Sequence, residues 1–325
     1  MRIAVTGAGG FIGSHLVQSL LHRGHAVCAL VRYNSQGGWG HLDGAGVRGA
    51  DGLVVRPGDV RDPDLVRALV EGCDVVLHLA ALVGIPYSYQ APASYVAVNI
   101  GGTLNVLEAC RQAGTRRVVV TSTSEVYGTA QYTPIDEAHP LQGQSPYSAS
   151  KIAADKLAES YVCSYGLPVV VVRPFNTYGP RQSARAVIPT VLTQALRGAS
   201  EVELGNLGPR RDLTFVEDIV EAFMLAMEKP DIDGETIHFG QGTALTVREL
   251  AEACLLAVGS AARLVTTPER VRPERSEVGL LVCDASKAHR LLKWKPRVSL
   301  EDGLRRTAEY VRTHLAQYPA REYVV

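Results

Sequence analysis

The amino-acid sequence predicts an α/β fold, a doubly wound parallel sheet carrying a second, smaller lobe toward the C-terminus. Three observations carry that expectation. Short apolar, β-branched runs at 3–6, 26–31, 53–56, 75–79, 117–122 and 169–173 alternate with helix-like segments, the pattern of parallel strands covered on both faces. The first run leads directly into Gly7-Ala8-Gly9-Gly10-Phe11-Ile12-Gly13 and then into a helical pattern. The 325 residues exceed what one compact core usually needs, and two lobes leave a cleft.

Taken in order, the first strand and its turn place Gly7, Gly10 and Gly13 at Gly-x-x-Gly-x-x-Gly spacing. Glycine lets backbone N–H groups and a helix N-terminus come close to a pyrophosphate, so this turn is a candidate dinucleotide site. The second strand ends in Val31-Arg32, where a cofactor with a free ribose 2′-hydroxyl usually meets an acidic residue. Arg32 is the partner expected for a 2′-phosphate, with a plain surface arginine as the competing reading. Residues 37–40 read as a glycine-rich loop, and a late run at 236–240 offers a further strand. Beyond Arg173 the chain changes character, with a turn-rich segment at 176–181, a helix at 186–197 and a strand at 201–204. Apolar spacing predicts covering helices at 246–258 and 300–311.

Composition narrows the partners. Lys plus Arg and Asp plus Glu both number 33, and no basic stretch interleaves aromatics, which argues against nucleic acid. No apolar run reaches the roughly 18 residues of a membrane span, and the chain starts on a core strand without a cationic leader, so a soluble, cytoplasmic protein is expected. The six cysteines form no C-x-x-C pair and the nine histidines are dispersed, so neither a disulfide framework nor a metal site is expected. His78 lies in an apolar strand end, where a core or cofactor-lining role outweighs metal binding.

The chemistry centres on Ser145-Pro146-Tyr147-Ser148-Ala149-Ser150-Lys151. Ser145 suits a helix N-cap and Pro146 the first helical position, so a helix is predicted from there to about residue 165. Tyr147 and Lys151 then share a face, and an ammonium beside a phenol is expected to lower its pKa and make it a base for a hydroxyl proton. A bare Tyr-x-x-x-Lys also occurs in ordinary amphipathic helices; the glycine turn upstream gives it meaning.

With these motifs the sequence resembles the extended short-chain dehydrogenase/reductases, in particular their nucleotide-sugar epimerases and dehydratases, over nearly its whole length. Further matching segments are Gly58-Asp59-Val60, His78-Leu79-Ala80-Ala81, the region around Asn99, Thr123-Ser124-Glu125-Val126-Tyr127-Gly128 and Arg173-Pro174-Phe175-Asn176-Thr177-Tyr178-Gly179-Pro180-Arg181. Residues 141–151 and 176–189 look most like the sugar-nucleotide 4,6-dehydratases of the legionaminic acid pathway, with a more distant likeness to GDP-mannose 4,6-dehydratase. The resemblance implies a Rossmann domain over 1–176 with a return at about 213–244, and a mainly substrate-binding region over 177–325. It implies a nicotinamide cofactor, NAD or NADP, held by Gly7, Gly10, Phe11, Ile12, Gly13, Arg32, Asp59, Val60, Leu79, Ala80, Ala81, Asn99 and Lys151. Tyr147, Lys151, Thr123, Ser124 and Glu125 become the catalytic set; Asn176, Arg211 and Arg272 the contacts to a substrate diphosphate; and Arg185 a conceivable partner for a sugar carboxylate. The relatives' pattern also implies a homodimer formed by a helix at about 94–113 and the Tyr147 helix, and a substrate such as GDP- or UDP-N-acetylglucosamine.

Reaction type is less fixed. Dehydratases acting on dTDP-glucose carry Asp where this chain has Ser124, a poor acid, whereas GDP-mannose 4,6-dehydratases and UDP-glucuronate decarboxylases also read Ser-Glu there. A 4,6-dehydratase is the expected activity; 4-epimerisation, decarboxylation and a non-catalytic dinucleotide sensor are the alternatives.

Overall fold

The structure is a computed structural model that describes residues 1–318. In chain order its strands and helices are β1 Arg2–Thr6, α1 Phe11–His22, β2 Ala26–Arg32, β3 Leu53–Gly58, α2 Pro63–Val70, β4 Val75–His78, α3 Ile85–Gln90, α4 Pro92–Tyr95, α5 Gly102–Ala113, β5 Arg117–Thr121, α6 Pro146–Tyr165 and β6 Val169–Pro174. There follow β7 Asn176–Tyr178, α7 Val187–Leu196, β8 Glu201–Leu204, β9 Arg210–Phe215, α8 Val216–Glu228, β10 Thr236–Phe239, β11 Ala244–Thr246, α9 Val247–Val258, β12 Arg263–Thr266, β13 Leu280–Leu281, α10 Ser286–Leu292 and α11 Leu300–Thr313.

Seven of these strands form one sheet in the order β10-β6-β5-β4-β1-β2-β3, and every pairing in it is parallel. The order turns back at β1: the chain moves outward through β2 and β3, then returns to the other side of β1 for β4, β5 and β6. Ligands in such sheets bind beyond the carboxyl ends of the strands at that reversal. The near-continuous apolar character of the strands follows from burial on both faces. Leu16, Leu20, Phe223 and Met227 pack on one face, and Val66, Val106, Leu107 and Tyr161 on the other. The alternation read from the sequence therefore corresponds to the observed layers.

Past β6 the chain builds a separate core from Ile188, Val191, Leu192, Leu250, Cys254, Leu304 and Val311. It re-enters the first sheet through α8, whose Phe223 packs with α1, and through β10, whose Ile237 pairs with Val172 of β6. The last seven residues of the region expected to serve the substrate, 319–325, lie outside the described residues. Polar ties join the second core to α1: Arg181 donates to Ser14 Oγ at 3.3 Å and Gln18 Oε1 at 3.1 Å, and His15 Nε2 lies 2.9 Å from the Pro180 carbonyl.

Two stretches depart from expectation: the start of the turn-rich 176–181 segment forms β7, paired with β9, and one helix is interrupted. The helix predicted at about 94–113 is α4, then a π-helical stretch Val96–Gly101, then α5. The wider turn lets the buried Asn99 reach sideways to two neighbouring segments, and such π stretches recur at functional sites. All six cysteines are free, five of them buried. Among the described residues no helix is long and apolar enough to cross a membrane, and no three His, Cys, Asp or Glu side chains are grouped to hold a metal ion.

Candidate active site

The glycine turn is compact because side chains would not fit in it. Gly7 has φ +69°, and a Cβ there would lie 2.7 Å from the Ala80 nitrogen; on Gly13 it would lie 2.2 Å from the Gly7 carbonyl oxygen. The Gly10 amide closes the turn on that same oxygen at 3.0 Å, and α1 starts at Phe11, with Ile12 following. A cradle of bare backbone at a helix N-terminus, next to the strand-order reversal, fits a dinucleotide pyrophosphate. Gly9 is equally confined, since a Cβ would meet the Trp39 carbonyl at 2.5 Å, and the His41 amide donates to the Gly9 carbonyl at 3.0 Å. The loop read from the sequence only as glycine-rich thus forms one wall of the cradle, and its glycine content was the sole signal of it.

The far wall is set by a buried hydrogen-bonded chain. Thr6 Oγ1 accepts from the amides of Leu79 and Ala80, both at 3.1 Å, which holds the 79–81 segment beside Gly7. The Thr6 hydroxyl lies 2.7 Å from His78 Nδ1, His78 Nε2 lies 3.0 Å from Thr103 Oγ1, and the Thr103 hydroxyl donates to the Asn99 carbonyl at 2.6 Å. Because the Thr103 proton is committed to Asn99, His78 donates from Nε2 and accepts at Nδ1. Burial suits that neutral form, pushing the imidazole down to about 3. The Asn99 amide then holds Leu82 N at 2.8 Å, Leu82 O at 3.0 Å and Ser150 Oγ at 2.9 Å, and Ser150 donates to the Tyr147 carbonyl at 2.7 Å. Asn99 thus links the 79–82 loop to α6 through its own side chain. At the far end of the cradle Arg32 is exposed at the tip of β2, the Asp59 carboxylate accepts from Arg61 at 2.9 and 2.6 Å, and Val60 is buried against Gly102.

The α6 helix begins as predicted. The Ser145 hydroxyl accepts from the Ser148 amide at 3.1 Å, the Ser148 hydroxyl accepts from the Ser145 amide at 3.0 Å, and Pro146 opens the first turn. Tyr147 and Lys151 are 6% and 4% exposed, and Lys151 Nζ donates to the Thr121 carbonyl at 2.5 Å. One expectation is corrected here. Lys151 was expected to lower the Tyr147 pKa, yet burial raises the phenol above its ordinary value, Glu125 adds to that, and the Thr123 hydroxyl only partly offsets it. Burial likewise lowers Lys151, while the Asp155 carboxylate holds it up. In a dry pocket the loss of hydration outweighs the neighbouring charge.

Around the phenol, Tyr95 presents its ring edge at a centroid distance of 6.2 Å, with Leu82 and Ile85 completing an apolar wall. Thr123 caps the short helical turn Ser124–Tyr127 by accepting from the Glu125 amide at 3.2 Å. Ser124 is buried, and Glu125 is half-buried close enough to Tyr147 to act on it electrostatically. Arg185 lies over the 82–85 loop, its Nη1 2.6 Å from where a Gly84 Cβ would be. On the other side Asn176 Oδ1 is buried without a hydrogen-bond partner. Arg211 and Arg272 converge on Glu277, at 3.3 and 3.6 Å, and Arg211 also donates to the Val278 carbonyl at 2.7 Å. The fold therefore gathers Tyr147, Lys151, Thr123, Ser124 and Glu125 at the strand ends, and brings the two arginines together around a carboxylate that sequence reasoning did not single out.

Known proteins place this geometry. The family model described as GDP-mannose 4,6 dehydratase matches residues 4–307. The chain is 35% identical over 317 residues to a UDP-glucose 4-epimerase of Mycolicibacterium smegmatis, covering 96% of this chain and 99% of that one. It is 32% identical to a UDP-N-acetyl-alpha-D-glucosaminuronate decarboxylase of Bacillus cytotoxicus, over 96% and 98% of the two chains. Among solved structures, DesIV, a dTDP-glucose 4,6-dehydratase from Streptomyces venezuelae with NAD and TYD bound, superposes with a TM-score of 0.87 at 31% identity, over 98% and 99% of the two chains. Three reactions thus share one scaffold: the chain belongs to the GDP-mannose 4,6-dehydratase-like family of extended short-chain dehydrogenase/reductases, the NAD-dependent nucleotide-sugar dehydratases, epimerases and decarboxylases.

Proposed function

We propose that the chain is a sugar-nucleotide 4,6-dehydratase. The observation that carries this reading is the carboxylate of Glu125 on the same short turn as Thr123, beside the Tyr147 phenol. Changing the configuration at C4 needs one base; removing a proton from C5 needs a second, and the nearness of Glu125 to Tyr147 supports giving it that role. Tyr147 takes the proton of the sugar 4-hydroxyl, with Thr123 alongside and Lys151 holding the ribose. A bound nicotinamide would supply the hydride acceptor for C4 and the hydride donor for C6, and its positive charge would favour the phenolate that burial opposes. With a ketone at C4, Glu125 removes the C5 proton and passes it to the departing 6-hydroxyl, which leaves as water. This assignment relieves Ser124 of the acid role for which its hydroxyl is unsuited. A proton exchangeable with solvent is finally added at C5.

Asn176, Arg211 and Arg272 are read as the diphosphate contacts, since a planar guanidinium pair matches phosphate oxygens and the Asn176 side-chain amide supplies N–H donors for them. The sugar nucleotide is proposed to be GDP- or UDP-N-acetylglucosamine, following the likeness over residues 141–151 and 176–189. The chain is further proposed to dimerise through the α4–α5 run and α6. Val96, 54% exposed, and Leu104, 41% exposed, are large apolar groups that a partner subunit would cover. A dimer mass by light scattering at micromolar concentration is the expected result, and a monomer refutes that part.

The activity is tested by mass spectrometry on a panel of nucleotide sugars, the dehydratase predicting loss of water. Glu125→Gln should still reduce the cofactor and form a 4-keto sugar, but eliminate water about 10² to 10⁴ times more slowly. Tyr147→Phe should block cofactor reduction itself. Unchanged mass with new stereochemistry would instead assign a 4-epimerase, and water loss at the normal rate in Glu125→Gln would take the C5 base role away from Glu125. Loss of carbon dioxide would assign a decarboxylase, with Arg185 as the carboxylate partner.

A further inference from the structure

Below the catalytic pair runs a buried charged chain that the mechanism leaves unused. Asp155 stands four residues after Lys151 on α6, so the two share a face one turn apart, and Asp155 is 5% exposed. Its Oδ2 accepts from Ser122 Oγ at 2.6 Å and from Arg173 Nη2 at 2.7 Å, while the buried Oδ1 accepts no hydrogen bond among the described residues. Arg173, on β6, turns its other arm to the Tyr127 hydroxyl, which lies 2.5 Å from His238 Nε2 on β10. An ion pair whose only task was to fasten α6 to β6 would be expected to use both carboxylate oxygens against the guanidinium fork. Here the fork is split between Asp155 and Tyr127, and one carboxylate oxygen is left without a donor.

The pocket therefore holds two cations, Lys151 and Arg173, and Asp155 is the anion beside both. The remaining groups facing Lys151 are uncharged: Tyr147 on its own helix, and His78, whose buried imidazole is neutral. Tyr127 and His238 lie on the far side of Arg173.

We propose that Asp155 is a positioning residue of the Tyr147–Lys151 pair: it supplies the counter-charge for Lys151 across one helical turn and, through Ser122, fixes the end of β5 where the Thr121 carbonyl receives the ammonium. Because Thr123 follows on the same strand end, the tie also sets where that hydroxyl meets the phenol. The proposal rests on reading Tyr147 and Lys151 as the reactive pair. Two neighbours of opposite charge act on Lys151 in opposite senses, Asp155 favouring the ammonium and Arg173 opposing it. Simple damage to the helix–strand packing has no such sign.

NAD⁺ binding to cofactor-stripped full-length protein is measured by calorimetry between about pH 7 and pH 10, with circular dichroism to follow folding. Affinity should fall as Lys151 loses its proton. Asp155→Asn should bring that fall to lower pH by about one unit and Arg173→Gln should move it to higher pH, while Asp155→Glu keeps the wild-type profile. Shifts of both neutralising variants in the same direction, or no shift in Asp155→Asn, would overturn the proposal. Should Asp155→Asn fail to fold, Arg173→Gln decides alone: an upward shift supports the proposal, and a downward shift or none overturns it. Lys151→Met should bind weakly with no such fall. If the fall persisted in that variant, the reading of Lys151 itself would be wrong and the proposal would go with it.

Discussion

Arg32 is exposed at the tip of β2, in register with Gly58, while the neighbouring carboxylate of Asp59 is already held by Arg61. A 2′-phosphate placed there would gain a charge-assisted hydrogen bond, worth roughly 1.5–3 kcal/mol, and a 2′-hydroxyl much less. Arg32→Ala should therefore weaken NADP⁺ binding by about tenfold or more and leave NAD⁺ nearly unchanged. Calorimetric titration with both cofactors checks it, and equal losses would return Arg32 to the role of a surface arginine. At this scale the sequence grouped Tyr147, Lys151, Thr123 and Glu125 through motifs, and the fold brings those side chains together, yet the phenol's raised pKa comes from burial, a property of packing that no local motif carries. The partner of Arg211 and Arg272 was not legible either, because Glu277 lies 66 residues from Arg211 and meets it only through the fold.

Among the elements, α6 was the most legible, since its start is written in chemistry local to four residues, Ser145 to Ser148. That locality also makes it testable. Ser145→Ala removes the hydroxyl that accepts from the Ser148 amide, and loss of an N-cap typically costs about 1 kcal/mol. Urea unfolding should show that loss. Because Tyr147 lies in the first turn, kcat should fall severalfold with little change in KM for the sugar nucleotide; a variant with wild-type stability and rate would show that Pro146 and packing suffice to start the helix. The π-helical stretch at Val96–Gly101 was not legible, since its cause lies outside its own sequence. Asn99 widens the helix by reaching Leu82 and Ser150, and period-based reasoning sees only a continuous helical pattern. The strands of the seven-stranded sheet were legible for the opposite reason: burial makes most of them apolar throughout, whereas β7, β9, β11 and β12 of the second region carry no such run.

For the whole molecule, the parallel sheet and its ligand-binding edge follow from the order of the elements, whereas the joint between the second core and α1 depends on Arg181, His15 and the Pro180 carbonyl meeting across more than 160 residues. That joint carries a pH dependence. His15 is pushed down to about 4 and His78 to about 3, in both cases chiefly by burial, from an unfolded value of 6.5. Their folded pKa values lie below the unfolded ones, so between these limits the unfolded chain binds more protons. Stability from the two neutral imidazoles is fully present above about pH 6.5 and is lost as pH falls toward 4 and 3, by as much as roughly 1.4 kcal/mol per histidine per pH unit. The buried carboxyls of Asp212 and Asp218 are raised instead, chiefly by burial, so their contribution runs the other way. His238 is held well below its ordinary value by burial, as His15 and His78 are, and His41 and His25 are lowered as well. Unfolding free energy measured in urea should therefore drop between about pH 6.5 and pH 5 with a slope of roughly three protons. His15→Gln, which keeps a side-chain N–H donor for the Pro180 carbonyl, should reduce that slope by about one proton. A pH-independent unfolding free energy over this window would mean that none of these imidazoles is held neutral by the fold.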